Sequence, residues 1–154
     1  MNKFNILKIV MFVLIAGCAE ESTYTVSKLK NNTNKNMDIL FFQNGSISKH
    51  FSINPNSEIT VLDLNNRGKG VGLSFPNVEI SFLDSAKVTF DSTKKSVHFS
   101  RLHKFDSSRV IFFESNRNIF NEGNYTRVIT SETKHRISNE YFFEFTEQDF
   151  LNAK

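Results

Sequence analysis

The chain has 154 residues, among them 17 Phe, 3 Tyr, no Trp and a single Cys, with 19 basic against 16 acidic side chains. One cysteine cannot make a disulfide within the chain, so the protein is not a small cystine-stapled scaffold and must bury its own apolar core. Its basic residues are scattered apart from pairs such as Lys94-Lys95, which argues against a nucleic-acid-binding surface.

In chain order, the first seventeen residues read as an export signal. Lys3 and Lys8 supply positive charge, and residues 9–16 are an unbroken apolar run ending in small side chains. A spanning helix needs about 20 apolar residues, so this run is too short to cross a membrane and is set apart from the fold. Ile15-Ala16-Gly17-Cys18 resembles a bacterial lipobox, in which the cysteine thiol receives a diacylglycerol group before the signal is cut and the new amino terminus is acylated. Ala16 and Gly17 present the small side chains a signal peptidase needs, and the Cys18 sulfur is the nucleophile that can form a thioether. The chain then divides into a lipoprotein signal peptide at 1–17, a tether at 18–23 and one domain at 24–154. Cleavage removes Lys3 and Lys8 and leaves 17 basic against 16 acidic residues, so the mature chain is nearly neutral. About 137 residues remain, enough for one continuous core.

From Tyr24 onward the pattern is short strands separated by turn residues, with little helical period. "MDILFFQN" (37–44) is apolar on both faces, as suits a central strand. Asn44-Gly45 is the dipeptide a tight hairpin prefers, joining 37–43 to a strand at 47–53. "NPNS" at 54–57 and "NNRGKG" at 65–70 end further strands. "VEISFL" places Val78, Ile80 and Phe82 on one face. "KVTFD" and "SVHFS" do the same for Val88 with Phe90 and for Val97 with Phe99, joined by the turn residues "DSTKK". "RVIFF" (109–113), "YTRVITS" (125–131) and "HRISNEYFFEF" (135–145) follow, the last with Ile137, Tyr141, Phe143 and Phe145 in register. The spacing predicts an all-β fold, a single antiparallel, immunoglobulin-like β-sandwich, with a closed β-barrel as the alternative. At the end, Thr146-Glu147-Gln148-Asp149 has the form of a capping box, and Phe145 and Phe150 take the positions of a hydrophobic staple, which predicts a short C-terminal helical turn.

Residues that could carry chemistry are few. His98 and His103 lie five apart and would point to opposite faces of one strand, a poor metal pair, while His50 and His135 stand alone in polar segments. All read as surface or sheet-edge histidines. Asp84 and Asp91 are loop carboxylates without EF-hand spacing. "GKGVG" (68–72) lacks the G-x-x-x-x-G-K-[ST] pattern ahead of a helix and runs into "VGLSF", which reads as strand, so it is taken as a flexible loop or as glycines relieving crowding where a strand bends. No G-x-S-x-G or H-E-x-x-H is present. No catalytic residue, metal ligand or cofactor site is therefore assigned. Tyr24, Tyr125 and Tyr141 are the only aromatics of the kind that stack on glycans.

The lipobox, "DSAKVTFD" (84–91), "RNIFNEGNY" (117–125) and "YFFEFTEQDFLNAK" (141–154) together resemble the small outer-membrane lipoproteins of Bacteroidota, a likeness that speaks to lineage and not to activity. The resemblance implies a cell-envelope protein attached to membrane lipid through acylated Cys18. It implies that Glu20-Glu21 act as an acidic signal for export to the outer face of the outer membrane. It also implies O-glycosylation at Ser85 and Ser92, which stand in D-[ST]-x tripeptides. The expected function is non-catalytic binding or structural support, with no protein or glycan partner named. A cell-envelope enzyme would instead show His, Asp or Ser converging in a cleft, and a ligand-carrying barrel would show a large cavity lined by Phe.

Overall fold

The computed structural model describes residues 20–79, 82–100, 110–111, 115 and 117–154. The elements are β1 (Ser22–Asn32), β2 (Met37–Gln43), β3 (Ser46–Ile53), β4 (Ser57–Arg67), α1 (Phe75–Glu79), β5 (Ser85–Phe90), β6 (Lys94–Phe99), β7 (Val110–Ile111), a 3₁₀ turn (Glu122–Asn124), β8 (Thr126–Glu132), β9 (Arg136–Thr146) and α2 (Glu147–Asn152). They form an all-β sandwich with a short C-terminal helix. One sheet has the order β4-β1-β9-β8 and the other β3-β2-β5-β6-β7, and the two do not close into a barrel. β1 pairs antiparallel with β4 and parallel with β9, from Ser22 opposite Arg136 to Asn32 opposite Thr146. The first and last strands thus lie side by side in the middle of one sheet.

Local sequence accounts for the turns. Asn44 and Gly45 take positive φ values of 51° and 76°, the backbone a two-residue hairpin requires. Asp91 and Ser92 do the same at 44° and 58° in the β5–β6 turn. A bulge in β4 opposite Ser27 and Lys28 lets Ile59 and Leu62, three residues apart, both pack toward the core, because the extra residue shifts the alternation by one.

The core is built on Phe. Phe41 meets Phe51, Phe75 and Phe120 edge-on at 6.0, 5.3 and 6.0 Å, the preferred geometry for ring quadrupoles. Ile137, Tyr141, Phe143 and Phe145 of β9 are all buried, as their alternation predicts.

Two expected strand faces are corrected. Phe75–Glu79, which include Val78 of "VEISFL", form α1, Phe82 is 59% exposed, and Ile80 lies outside the described residues. Pro76 in the first turn presets a helical φ, and Phe75 is held by its ring contact with Phe41 and by a 2.9 Å bond from its amide to Ser27 Oγ. In β6 the inward residue is His98, not Val97 or Phe99. β5 directs Ala86, Val88 and Phe90 inward, and the turn register sets His98 opposite Ala86. His98 is therefore a buried histidine, not a surface one, whereas His103 lies outside the described residues. Its Nδ1 accepts from the Ile119 amide at 3.2 Å and its ring meets Phe145 edge-on at 6.3 Å. Burial, opposed by the Asp149 carboxylate and aided by the Arg117 guanidinium, lowers its pKa to about 3.

The C-terminal turn forms as predicted. Asp149 Oδ2 accepts from the Thr146 amide at 2.7 Å and from the Thr146 hydroxyl at 3.0 Å. The same carboxylate receives Arg117, Nε to Oδ1 at 2.8 Å and Nη2 to Oδ2 at 2.5 Å, with the guanidinium 5.0 Å from the Phe143 ring centroid. Phe145 and Phe150 meet through Phe90, which both contact edge-on at 6.4 and 5.9 Å.

Two predictions follow from this packing. Thr146→Ala is expected to cost about 0.5–2 kcal/mol and Asp149→Ala more, because it also strips Arg117 of its carboxylate partner and leaves it the Glu144 carbonyl; equal urea midpoints for the two variants would contradict the shared role of the carboxylate. For His98 the folded pKa lies below the ordinary 6.5. Above pH 6.5 neither state is charged; as pH falls from 6.5 toward 3 the unfolded chain takes up a proton that the folded chain refuses. Stability should fall by up to about 1.4 kcal/mol per pH unit from this group alone. The stability difference between wild type and His98→Gln should therefore narrow between pH 6.5 and 4, measured by denaturant titration at each pH.

Candidate functional site

Ile15, Ala16, Gly17 and Cys18 lie outside the described residues, which begin two positions later at Glu20. From there the chain is tied directly to the domain. Glu20 Oε1 pairs with Arg67 Nε at 3.1 Å, both side chains well exposed. The Glu21 carbonyl accepts from the Gly68 amide at 2.7 Å, and the Ser22 amide donates to the His135 carbonyl at 2.8 Å. β1 starts at Ser22, two residues before the expected start at Tyr24. Glu20 and Glu21 thus stand at one end of the four-stranded sheet, beside the end of β4, the loop that follows it and the β8–β9 turn.

The inward face of β1 at this end is polar: Thr23, Thr25 and Ser27 are buried. Residues 68–74 cross over them as a strap. Thr23 Oγ1 donates to the Gly68 carbonyl at 2.7 Å and accepts from the Gly70 amide at 2.9 Å, and the Tyr141 hydroxyl donates to the Gly72 carbonyl at 3.1 Å. The expected strand at "VGLSF" does not form, since its backbone is taken up by these side chains. The Gly68 and Gly70 amides, which an anion-binding loop would offer to a ligand, are spent on Glu21 and Thr23. At Gly72 the glycine relieves crowding: a Cβ there would lie 1.8 Å from Thr25 Oγ1 and 3.2 Å from Asn139 Nδ2. Those two buried atoms have no hydrogen-bond partner among the described residues.

Other polar groups have structural work. Asp84 Oδ2 accepts from the Gly45 amide at 3.2 Å, and Asp91 Oδ1 from the Asn36 amide at 2.9 Å. Ser85 is half-buried in β5 beside Asp84, whereas Ser92 is exposed at the tip of the β5–β6 turn, so the two glycosylation candidates differ sharply in access. Lys94 Nζ donates to the Phe150 and Leu151 carbonyls at 3.3 and 3.4 Å, neutralising the end of α2. Tyr125 and Tyr141 are buried, and the Tyr24 hydroxyl donates to Asp63 at 3.0 Å.

One constellation escaped the sequence reading: Asp38, His50 and Ser52 on the outer face of β2 and β3. Ser52 Oγ donates to Asp38 Oδ1 at 2.6 Å, and His50 Nε2 lies 3.3 Å from the same oxygen and 3.5 Å from Ser52 Oγ. The Ser52 hydroxyl, then the burial that opposes it, then His50 set the Asp38 pKa, which falls below the ordinary carboxylate value. A nucleophilic relay needs the serine on one imidazole nitrogen and the carboxylate on the other; here both face Nε2 and the serine proton goes to the acid. The register of the Asn44-Gly45 hairpin, which sets Asp38 opposite Ser52, was the signal that could have found it. On the same sheet's outer face Phe42, Val97 and Phe99 line an apolar groove with Ser85 and Lys87. Among the described residues no three His, Cys, Asp or Glu cluster as metal ligands, and no helix is long and apolar enough to cross a membrane.

Compared with protein-family models, with curated proteins and with solved structures, the chain has no match in any of the three.

The close approach at Gly72 is testable. Gly72→Ala is expected to lower stability by about 1–3 kcal/mol through overpacking, and Thr25→Ala in the same chain should recover part of that loss. Strictly additive effects in a double-mutant cycle would mean that the two residues do not touch.

Proposed function

We propose that the chain is a lipoprotein of the bacterial cell envelope, held to membrane lipid by acylated Cys18, whose β-sandwich serves binding or support and not catalysis. The observation that carries this reading is Ile15-Ala16-Gly17-Cys18, a lone thiol after a short apolar run and small residues. The start of β1 only four residues after Cys18 supports it, because a lipidated amino terminus needs only a brief linker to a folded domain. Glu20 and Glu21, exposed where the chain leaves the domain, suit an export signal toward the outer face of the outer membrane, and exposed Ser92 suits glycosylation better than Ser85. The wiring of Asp38, His50 and Ser52 supports the non-catalytic side of the reading.

Acylation accounts for stable attachment. Each buried acyl CH₂ contributes about 0.8 kcal/mol, and a single myristoyl chain holds only marginally, so two or three chains make release negligible. A nearly neutral mature chain has no polybasic patch to replace them. Cys18→Ser should therefore abolish lipid incorporation, seen by mass spectrometry of the amino-terminal peptide, and leave the chain as unprocessed precursor or in soluble form with an unchanged far-UV spectrum of the domain. A Cys18→Ser chain that is still processed and resists a high-salt wash from membranes would overturn the reading.

A further inference from the structure

Strand pairing builds a slot on the outer face of the five-stranded sheet. β5 buries Ala86, Val88 and Phe90, so Ser85 and Lys87 face away from the core. Register sets Ser85 between Phe42 of β2 and Phe99 of β6, and in the next outward row sets Lys87 between Leu40 and Val97. A short side chain thus stands between two rings and a cation between two aliphatics, all of them half-buried. The outer face of an antiparallel sheet is ordinarily wet; this one has apolar walls along a polar floor. The groove that results measures about 430 Å³, within the roughly 300–1,000 Å³ of clefts that take small ligands.

Spacing and charge say what fits. Neighbouring strands lie about 4.8 Å apart, which puts the Phe42 and Phe99 backbones about 10 Å from one another. A flat ring in van der Waals contact with both needs about 7 Å, so the slot over Ser85 admits one ring and not two. Along β5, Ser85 and Lys87 are separated by about 7 Å. Lys87 has no acidic partner among the described residues. The acids of this face are committed: Asp84, at the Ser85 end, accepts from the Gly45 amide and the Ser85 hydroxyl, and Asp38 accepts from Ser52. Asp84 repels an anion from one end of the groove, while Lys87, with exposed Lys95 in the following row, attracts it at the other. We infer that this groove binds a small aryl-alkanoate, its ring between Phe42 and Phe99 and its carboxylate on Lys87. This ligand class rests on the binding half of the reading above, and Cys18 has no part in it.

Hydrocinnamate, a phenyl ring joined to a carboxylate by a short alkyl link, is the probe, titrated into the full chain at neutral pH and followed by calorimetry and saturation-transfer NMR. Saturable binding is expected with a Kd below about 1 mM. Hydrocinnamyl alcohol, which keeps the ring and lacks the charge, should bind about fivefold more weakly, and propanoate, which lacks the ring, should not saturate. Lys87→Gln should erase the preference for acid over alcohol. Ser85→Leu, which fills the slot, should remove binding of both, and Lys134→Gln on the β8–β9 turn should change neither. Absence of saturable binding, equal affinity for acid and alcohol in the wild type, or an unchanged preference in folded Lys87→Gln overturns the site. Dimerisation in sedimentation that Ser85→Leu abolishes, without hydrocinnamate uptake, would give the groove to a second copy instead. Lipid at Cys18 is scored separately by mass spectrometry: a lipidated chain that takes up no hydrocinnamate loses the ligand and keeps the anchor, and a binder without lipid does the reverse.

Discussion

A buried strand face made of Thr23, Thr25, Ser27 and Asn31, with Leu29 as its one aliphatic, is the constraint around which the rest of the structure is arranged. Hydroxyls and amides taken from water must find partners or lose stability, and β1 cannot find them across the sandwich from Phe-rich strands. Thr23, Ser27 and Asn31 find them in loops, while Thr25 Oγ1 has none among the described residues. Thr23 binds the 68–70 backbone, Ser27 receives the amide that starts α1, and Asn31 gathers the other end. The Asn31 side-chain amide donates to the carbonyls of Lys35, Ile53 and Asn54 at 2.7, 3.2 and 3.1 Å, and its oxygen accepts from the Thr33 amide at 3.1 Å. One strand therefore positions the β1–β2 turn, the end of β3, the strap and α1, and through α1 the Phe75 ring that packs on Phe41.

The same strand joins the two ends of the chain. Because β9 runs parallel to β1, its far end lies beside the β1–β2 turn, where Glu147 Oε1 accepts from the Asn34 amide at 2.8 Å. The C-terminal helix is too short to be stable alone and is held by tertiary contacts: Arg117 on Asp149, Lys94 on its last carbonyls, and Phe150 on Phe90. The outer face of this sheet is solvated and self-neutralised. Lys28 pairs with Glu58 at 2.7 Å and with Glu140, and Lys30 lies 3.8 Å from both Glu58 and Glu144. Charge on that face is matched locally.

Several parts of this arrangement were legible along the chain because they depend on neighbours within a few residues. The Asn44-Gly45 turn, the Thr146 to Asp149 cap and the inward face of β9 each follow from φ preference, a hydrogen bond across three residues or an unambiguous apolar alternation. Other parts were not. "SVHFS" alternates cleanly, yet alternation separates two faces without saying which is inside. His98 went inward because β5, with its stronger apolar face, set the register. In "TYTVSKLKN" nothing local marks the inward face, and only partners more than forty residues away satisfy the buried hydroxyls of Thr23 and Ser27. The Asp38, His50 and Ser52 grouping depended on a pairing register interrupted by a bulge.

The sequence by itself determined the strand-rich class, the tight turns, the final helical turn and the need for a core without disulfides, and it alone carries the Cys18 motif, since that is a covalent pattern read residue by residue. Only the tertiary structure decided that β1 lies between β4 and β9, that residues 68–74 are a strap and not a strand, and that Glu20 stands beside Arg67. The physical reason is the range of the interactions. Backbone preference and capping act over three or four residues, whereas the choice of which polar face is buried is settled by hydrogen-bond partners that only the folded chain brings within 3 Å.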